Sequence, residues 1–285
     1  MKRLADLYPM LDVLIVNVLV GALVVCLHPS LAQAQQSPSA TPSAATTALQ
    51  DLSKDSRNPF VGFIKVPVEA TTGFDVGTHH NAGENVNIEP LIPIDLGPDW
   101  DLIARPSFNV TYAPSPGAAF GFQDLQTSFF LTPDKAATWL WGAGPIFQFP
   151  TASRRELGTG RWSAGPTAAL TYNQGPWFNA ILTYQLMSFA GSRRRGSVNQ
   201  TYIEPLISYN FESGWSVQCD PQMTLDWTAE SSNAWSIPLG ADVARTFQLG
   251  EQALNVQAGA YDNVERPDGA PQWFARLQLT YLFPE

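Results

Sequence analysis

Long hydrophobic runs are missing from most of this 285-residue chain. Beyond residue 34, no segment approaches the roughly 20 consecutive apolar residues that a membrane-spanning helix needs. Cysteine is also scarce, because Cys26 lies near the start and only Cys219 occurs in the body of the chain. A single cysteine cannot form an intrachain disulfide, and the apolar neighbours of Cys219 make it a small hydrophobic residue. The sequence therefore excludes helical spans and a disulfide framework in this part of the chain.

Basic residues are few as well: 16 Lys and Arg against 25 Asp and Glu give a net charge of −9. No basic stripe is present, so a nucleic-acid partner is not expected. Beyond the leader, histidine occurs only as the adjacent pair His79 and His80, and no third ligand follows at metal-site spacing. There is also no Gly-x-Ser-x-Gly turn for a nucleophilic serine. The sequence predicts no metal, no cofactor and no enzymatic activity.

Tryptophan, in contrast, recurs at a fixed period. Trp100, Trp139, Trp177 and Trp215 are 39, 38 and 38 residues apart, and each follows a short polar turn. A fixed period indicates one supersecondary unit that is repeated, here a β-hairpin. Other tryptophans flank the connections between these turns. Indole rings concentrate at membrane–water interfaces, so two bands one strand-length apart are typical of a bilayer-spanning barrel.

The segments between the turns alternate between apolar and polar residues. From Trp215 to Trp227 every second residue is apolar or Pro, and the residues between them are Ser, Gln, Asp and Thr. In the segment from Asp101 to Tyr112 the polar face is interrupted once, by Ile103. A period of two over about 10 residues is what a tilted membrane strand requires. A soluble β-sandwich with one buried face also alternates and is the alternative.

The predicted fold is an all-β, transmembrane, antiparallel up-and-down β-barrel of the bacterial outer-membrane type with about 12 strands, ten at the fewest. An even number returns both termini to one side, the periplasm. The first strand is expected near residues 61–74. Alternatively, Asn58 to Ile64 folds into the lumen and Thr71 to Glu84 forms a loop. Eight prolines fall within proposed strands, where the missing N–H predicts bulges or kinks, or a barrel that is open there: Pro90, Pro93, Pro106, Pro145, Pro166, Pro205, Pro221 and Pro238.

Three regions are predicted along the chain. Residues 1–34 are an export signal, with Lys2 and Arg3 before a short apolar run and a small-residue cleavage site that ends at Ala34. A lipoprotein signal with Cys26 acylated is the alternative. Residues 35–57, which begin with a tract of Ser, Thr, Ala, Pro and Gln, are expected to be a flexible periplasmic tail. Residues 58–285 form the barrel.

Alternation also predicts which side chains line the lumen and which form the aromatic girdle. Charged residues on the polar faces would bias the passage of ions or solutes, or would form salt bridges that only stiffen the wall. The lumen candidates are Glu89, Asp95, Asp101, Arg105, Asp124, Asp220, Asp226, Asp242 and Arg276. The girdle candidates are Trp100, Trp139, Trp177, Trp215, Trp162, Trp227, Trp235 and Trp273. An acidic lumen predicts a preference for cations or neutral solutes over anions.

The expected partners follow from the same features. Arg154, Arg155 and the run Arg193 to Arg195 lie in proposed outward loops, where the phosphates of lipopolysaccharide are the expected ligands. The final segment from Trp273 to Phe283 ends in an aromatic residue and is typical of strands that barrel-assembly machinery binds. Outer-membrane lipid and small-molecule solutes complete the expected partners.

Several short stretches also form a recognisable set. They include Asp99 to Arg105, Gly142 to Pro145, Leu157 to Pro166, Trp235 to Gly240 and Arg266 to Gly269. Together they resemble a family of outer-membrane transporters that is catalogued under the meta-pathway of phenol degradation and is sometimes mislabelled neuromedin U. The resemblance covers about Asn58 to the end. It implies an outer-membrane barrel for the passage of small, apolar or aromatic compounds, and it brings no catalytic or binding residues.

These observations predict a pore or transporter in the outer membrane of a Gram-negative bacterium, for passive uptake or efflux of small compounds. A structural or surface-interaction barrel without a through-channel is the alternative, since the interior of a barrel of this size can be filled by side chains. A membrane-embedded hydrolase is the second alternative. Whether a segment within residues 51–64 plugs the lumen is left open by the sequence.

Overall fold

The computed structural model describes residues 42–114, 118–135, 137–250 and 252–283, with side chains from residue 47 onward. These ranges contain one α-helix, α1 (Pro42–Asp55), and two short 3-10 turns, Arg155–Leu157 and Ser231–Asn233. The strand segments are β1 (Ile64–Val76), β2 (Asn81–Ile88), β3 (Ile92–Asp95), β4 (Trp100–Ala113), β5 (Ala119–Phe122), β6 (Leu125–Pro133), β7 (Trp139–Phe149), β8 (Arg161–Gln174), β9 (Trp177–Gly191), β10 (Asn199–Asn210), β11 (Trp215–Cys219), β12 (Met223–Asp226), β13 (Trp235–Leu249), β14 (Gln252–Glu265) and β15 (Trp273–Phe283).

The segments form a closed antiparallel barrel of 12 wall strands. Three wall strands are interrupted and consist of two segments each: β2 with β3, β5 with β6, and β11 with β12. Each wall strand pairs with its neighbour in the sequence, and the ring closes where β1 pairs with β15, from Ile64 opposite Phe283 to Phe74 opposite Trp273. The predicted fold class and strand number are confirmed.

Alternation in the sequence becomes inside and outside in the barrel. In β8, Ser163, Thr167 and Thr171 are buried in the interior, whereas Trp162 and Leu170 are exposed on the outer surface. The exterior is therefore apolar and the interior mostly polar, as in outer-membrane barrels. In the described residues, no helix is long and apolar enough to cross a membrane.

The two ends of the barrel differ. Short connections at 96–99, 134–138, 175–176, 211–214 and 250–251 lie at one end, together with the start of β1 and the end of β15. We call this the turn end. Longer connections at 150–160, 192–198, 227–234 and 266–272 lie at the opposite end, the loop end. The hairpin between β1 and β2 turns at 77–80, so Thr71 to Glu84 is mostly strand rather than the loop of the alternative prediction.

Some prolines mark breaks in the β-ladder, as predicted. Pro90 lies between β2 and β3, Pro221 lies between β11 and β12, and the register of β13 against β14 shifts at Pro238. Pro145 and Pro166 instead face each other within the continuous strands β7 and β8. The break at Pro221 directly follows Asp220, whose buried side chain contacts the interior network described below.

The N-terminal segment differs from its predicted form. Residues 35–57 are expected to be a flexible tail, but Pro42–Asp55 forms α1, and the residues after it enter the barrel. The physical reason is tertiary, because a segment with little apolar surface of its own gains hydrogen bonds and ion pairs from the barrel interior. Residues 1–41, with the predicted signal and its cleavage site, lie outside the described residues.

Candidate functional site

Residues 47–63 lie at the turn end of the lumen and contact its wall, and we call this segment the plug. The helix α1 is fixed to two turns at that end. Gln50 Nε2 donates to the Asn210 carbonyl oxygen at 2.6 Å, Ser53 Oγ donates to Asn210 Oδ1 at 2.8 Å, and Lys54 Nζ donates to the Gly175 carbonyl oxygen at 3.3 Å. The part of the segment that follows α1 then runs into the lumen. Residues 58–63 therefore fold into the lumen, as the alternative prediction had it, and the first wall strand begins at Ile64.

A buried lysine at the start of β1 caps the end of this helix. Lys65 Nζ donates to the carbonyl oxygens of Asp55, Ser56 and Asn58 at 3.2, 3.0 and 2.6 Å. A cation is favourable there because the last carbonyls of a helix carry partial negative charge. Burial raises the pKa of the Asp55 carboxyl, an effect that the Lys65 ammonium partly offsets. The wall strand and the plug are therefore locked together at their junction.

An ionic network joins the plug to the part of the wall between β11 and β15. Arg57 of the plug forms an ion pair with Asp220, which also pairs with Arg276 of β15. Arg276 Nε donates to Asp242 Oδ1 at 2.7 Å. The hydroxyl of Tyr261 lies 2.9 Å from Asp220 Oδ1 and 2.5 Å from Asp242 Oδ2, and it accepts from Arg276 Nη2 at 2.8 Å. Two arginines thus face two aspartates in a buried site, where pairing offsets the cost of desolvation.

An apolar cluster lies on the other side of the plug. Phe60 is 7% exposed and packs with Ile103, Phe130, Ala169 and Leu182, all of which point inward from the wall. The rings of Phe60 and Phe130 meet edge to face with centroids 6.0 Å apart. Ile103, the residue that breaks the polar face of its strand, is 1% exposed in this cluster. The exception in the sequence pattern therefore marks where the plug contacts the wall.

The lumen contains a polar cavity of about 300 Å³ next to the plug. Ser56, Arg57 and Pro59 bound it on the side of the turn end, and Asn109 and Gln123 line it toward the loop end. The lining is composed mainly of Asn, Gln, Ser, Thr and charged residues. A polar lining of this kind suits water and small solutes rather than lipid.

Two of the predicted lumen residues pair across this cavity. Arg105 and Glu89 form a two-point ion pair, with Nε to Oε1 at 2.6 Å and Nη2 to Oε2 at 3.1 Å. Nearby, Tyr184 and Tyr202 stack with ring centroids 4.7 Å apart, and the Tyr202 hydroxyl donates to Glu204 Oε2 at 2.9 Å. Sequence reasoning missed Glu204, although it occupies the same strand face as Tyr202.

The remaining lumen candidates lie near the two rims. Asp95 and Asp101 face each other across the turn at 96–99, and Asp95 accepts from the Gly97 N–H at 2.6 Å. Asp226 accepts from the backbone N–H of Thr228 at 2.8 Å, at the loop end. The structure therefore joins Glu89 with Arg105, and Asp220 with Asp242 and Arg276, but it does not bring the rim aspartates into either group.

Asp124 borders the cavity and also holds a loop in place. Its carboxylate accepts from the Thr159 N–H at 2.7 Å, from Thr159 Oγ1 at 2.8 Å, and from the Ala152 N–H at 3.0 Å. Arg195 fastens the same loop to the next one by donating to the carbonyl oxygens of Thr159 and Arg155, both at 2.9 Å. Asp124 and Arg195 thus order the connections over the loop end.

The predicted girdle tryptophans occupy the strand ends. All eight are exposed, from 38% for Trp235 to 60% for Trp139 and Trp227. The first residues of β4, β7, β9 and β11 place four of them in a band at the turn end. The others lie toward the loop end: Trp162, Trp227, Trp235 and Trp273. Two aromatic bands are thus separated by the length of a strand, the arrangement expected of interfacial anchors.

The two described histidines, His79 and His80, make only exposed contacts with neighbouring side chains. His80 Nδ1 lies 3.1 Å from Asp75 Oδ1 in the first loop-end turn, and His79 Nδ1 lies 3.2 Å from Thr78 Oγ1. Within the described part of the chain, no group of three or more His, Cys, Asp and Glu residues is arranged to hold a metal ion.

Comparison with known proteins supports the architecture. No protein-family model matches the chain, and no curated protein matches its sequence. Among solved structures, an outer membrane channel from Pseudomonas putida F1 superposes with a TM-score of 0.58 at 16% identity, over 79% of this chain and 96% of the channel. The NanC porin superposes with a TM-score of 0.51 at 10% identity, over 78% of this chain and 100% of the porin. At these identities the likeness establishes the fold, and the kinship with the phenol-pathway family stays a prediction.

Proposed function

We propose that this chain is an outer-membrane pore for small solutes, held in a closed state by its own N-terminal plug. The observation that carries the proposal is the polar cavity of about 300 Å³ inside a closed barrel, bounded by plug residues at the turn end. A barrel that served only as a scaffold would need no such cavity, because inward side chains can fill an interior of this size. The likeness in fold to an outer membrane channel and a porin supports the same reading.

The orientation follows from the two ends. We place the turn end, with the plug and both termini, in the periplasm, and the longer connections at the cell surface, because outer-membrane barrels have short periplasmic turns. The two bands of tryptophan would then mark the two faces of the outer membrane of a Gram-negative bacterium. An export signal in residues 1–34 and recognition of the last strand by barrel-assembly machinery belong to the same proposal.

Passage through the proposed pore depends on the position of the plug. It contacts the wall through the Arg57 ion pair on one side and the Phe60 cluster on the other. Each contact contributes to holding the segment, so the loss of either one should raise the open fraction and the loss of both should raise it further. Residues 47–63 contain no wall strand, so the plug can leave without breaking the β-ladder.

The residues that line the cavity indicate which solutes would pass. A preference for apolar or aromatic compounds, as implied by the family resemblance, would require an apolar path, and the main apolar cluster of the lumen is the one filled by Phe60. The cavity itself presents amides, hydroxyls and ion pairs. We therefore propose small polar solutes, with cations or neutral molecules preferred over anions.

A structural barrel is the second candidate, and the plug is the observation that favours it. If the plug never leaves, the cavity is a dead end and the protein acts through its surface. Its surface would act through the exposed arginines of the loop end, which would bind the phosphates of lipopolysaccharide whether or not the plug leaves: Arg155, Arg193 and Arg194.

The test is conductance of the refolded mature chain in a planar bilayer, compared with a version that lacks residues 35–60. Stepwise current after truncation, with little or none in the full chain, would support a plugged pore. Current of equal size in both would show that the plug does not close the path. Silence in both, with folding verified by heat-modifiable gel mobility, would support the structural barrel.

A further inference from the structure

A continuous ladder of uncharged polar side chains covers one wall of the cavity. Asn87 Nδ2 donates to Ser107 Oγ at 2.9 Å and to Asn109 Oδ1 at 3.1 Å. Asn85 Nδ2 also donates to Asn109 Oδ1 at 3.1 Å, and Asn85 Oδ1 accepts from Thr111 Oγ1 at 2.6 Å. The ladder runs across β2 and β4, whose residues pair in register, Asn87 opposite Asn109 and Asn85 opposite Thr111. It therefore lies along the lumen from the plug toward the loop end.

Two glutamines extend this wall onto the next strand. Gln123 Nε2 donates to Thr111 Oγ1 at 2.8 Å, and Gln126 Nε2 donates to Gln148 Oε1 at 3.1 Å. The ladder bonds fix these amides in place without using all of their capacity, since each amide has two donor hydrogens and an oxygen with two lone pairs. The amides are partly exposed to the cavity, so the unused positions face the solute. The wall thus offers fixed donors and acceptors at neighbouring positions.

The charges around the cavity are largely compensated. Arg105 pairs with Glu89, Arg57 pairs with Asp220, and Lys65 is enclosed by three carbonyl oxygens. The Glu204 carboxylate accepts a hydrogen bond from the Tyr202 hydroxyl, and its charge also interacts with that of Arg105. A charged solute would have to compete with these pairs and would meet both signs within one small space. A neutral solute meets no such opposition.

On another part of the wall, Tyr184 and Tyr202 provide an aromatic surface beside the amides. A sugar ring has the matching properties: hydroxyls around its edge, which exchange paired hydrogen bonds with carboxamides, and C–H groups on its face, which pack on aromatic rings. The volume of about 300 Å³ is at the lower end of ligand pockets and fits a small molecule.

We propose that the cavity selects uncharged polyhydroxylated solutes of monosaccharide size. This inference rests on the proposed pore, for which it names the solute class. The amide ladder supplies the hydrogen bonds, and the tyrosine pair supplies the ring contact. The charged groups disfavour ionised analogues, anions more than cations, because the lining carries more carboxylates than cationic groups.

The experiment measures binding and needs no open pore. Saturation-transfer NMR on the detergent-solubilised full chain would compare methyl α-glucoside with the corresponding uronic acid, with glucosamine and with cyclohexanol. The neutral glucoside should give the strongest transfer. Asn87→Leu combined with Asn109→Leu should weaken its binding at least about tenfold, the equivalent of one or two hydrogen bonds. The milder Asn87→Ala serves if the double variant does not fold.

Gln248→Leu is the matched control, because Gln248 is an exposed amide at the turn end, outside the cavity. This variant should bind the glucoside as well as the unchanged chain does. Stronger transfer to glucosamine or to the uronic acid would overturn the inference, and so would equal binding in the ladder variant. The two proposals fail separately: conductance of the truncated chain without glucoside binding would reject the solute class alone. Glucoside binding without any conductance would reject the pore.

Discussion

The ring of Phe60 occupies the space that a side chain at Gly142 would fill. A Cβ built on Gly142 would lie 2.5 Å from Cε1 of Phe60, which is closer than two carbon atoms can approach. Gly142 is in β7, on the inward face of the wall. The missing side chain of Gly142 therefore leaves the space that the ring of Phe60 occupies, and we call this space the socket. The same ring also contacts Phe130 edge to face.

Gly142→Val should expel Phe60 from this socket. Overpacking of a filled core costs about 1 to 3 kcal/mol, which shifts the ratio of closed to open plug by roughly tenfold or more. The open probability of single channels should rise accordingly, with the same current per opening as the truncated chain. Ala143→Val is the control, since Ala143 lies on the outward face of the same strand and should leave the conductance unchanged.

Arg57→Gln should loosen the ionic side of the plug. Both partners of the Arg57–Asp220 pair are buried, with side chains 10% and 1% exposed. Loss of one partner in a buried pair costs about 3 kcal/mol, so residues 47–60 should become accessible to protease in the folded barrel. Lys135→Gln removes the exposed ion pair with Asp99 and should change nothing. Protection equal to that of the unchanged chain would show that the pair does not hold the plug.

Gly142→Val together with Arg57→Gln would leave the plug without either contact. The two sites share no side chain, so their effects should add. A double variant no more open than the single ones would mean that a third contact, such as the Lys65 cap, holds the segment.

Asp124→Asn should free the loop at 150–160. The carboxylate accepts bonds from two backbone N–H groups and one hydroxyl, and their loss leaves polar groups unsatisfied at a cost of about 1 to 3 kcal/mol. Tryptic cleavage after Arg154 and Arg155 should be accelerated by roughly tenfold, since proteolysis follows local opening. Glu156→Gln, an exposed change in the same loop, is the control.

Glu204→Gln should weaken the preference for cations. In a channel opened by Gly142→Val, reversal potentials in a potassium chloride gradient should move toward the value of an unselective pore, because a carboxylate is removed from the lining. Asp134→Asn is the matched control. It also removes one negative charge, but Asp134 lies in the turn at 134–138, outside the cavity. Anion selectivity before the change would refute the acidic-lumen prediction outright.

The loop arginines make a separate prediction about lipopolysaccharide. Replacement of Arg155, Arg193 and Arg194 by Gln should lower affinity by roughly tenfold, since exposed charge pairs contribute about 0.2 to 1 kcal/mol each. Arg195 is left intact because it binds the neighbouring loop. Arg245→Gln, on the outer wall between Trp215 and Phe247, is the control. Unchanged affinity in the triple variant would remove the idea.

The wall of this barrel was predictable from the sequence, whereas its contents were only partly so. A period of two is tied directly to the geometry of a strand, so strand number, facing and the positions of the tryptophans follow from local pattern. The interior pairs follow from which strands meet across the lumen. Alternation puts Asp124 on the inner face but gives no information on the loop that it binds.

The plug could be predicted only as an alternative, because its signal is spread over distant positions. Its own sequence does not indicate a fixed position, because its contacts are with Gly142, Asp220 and the apolar cluster of the wall. One sign was present in the sequence: Ile103 interrupts a polar face, and an apolar side chain that points into a polar lumen needs an apolar partner from elsewhere in the chain.

The direct continuity of the plug with β1 limits how far it can travel. Phe60 is four residues before Ile64, the first residue of the wall strand, and four extended residues span at most about 14 Å. A released plug therefore stays within reach of its socket, at an effective concentration in the millimolar range. Closure is an intramolecular event that repeats, so the pore should alternate between open and closed states without losing the plug to the surrounding solution.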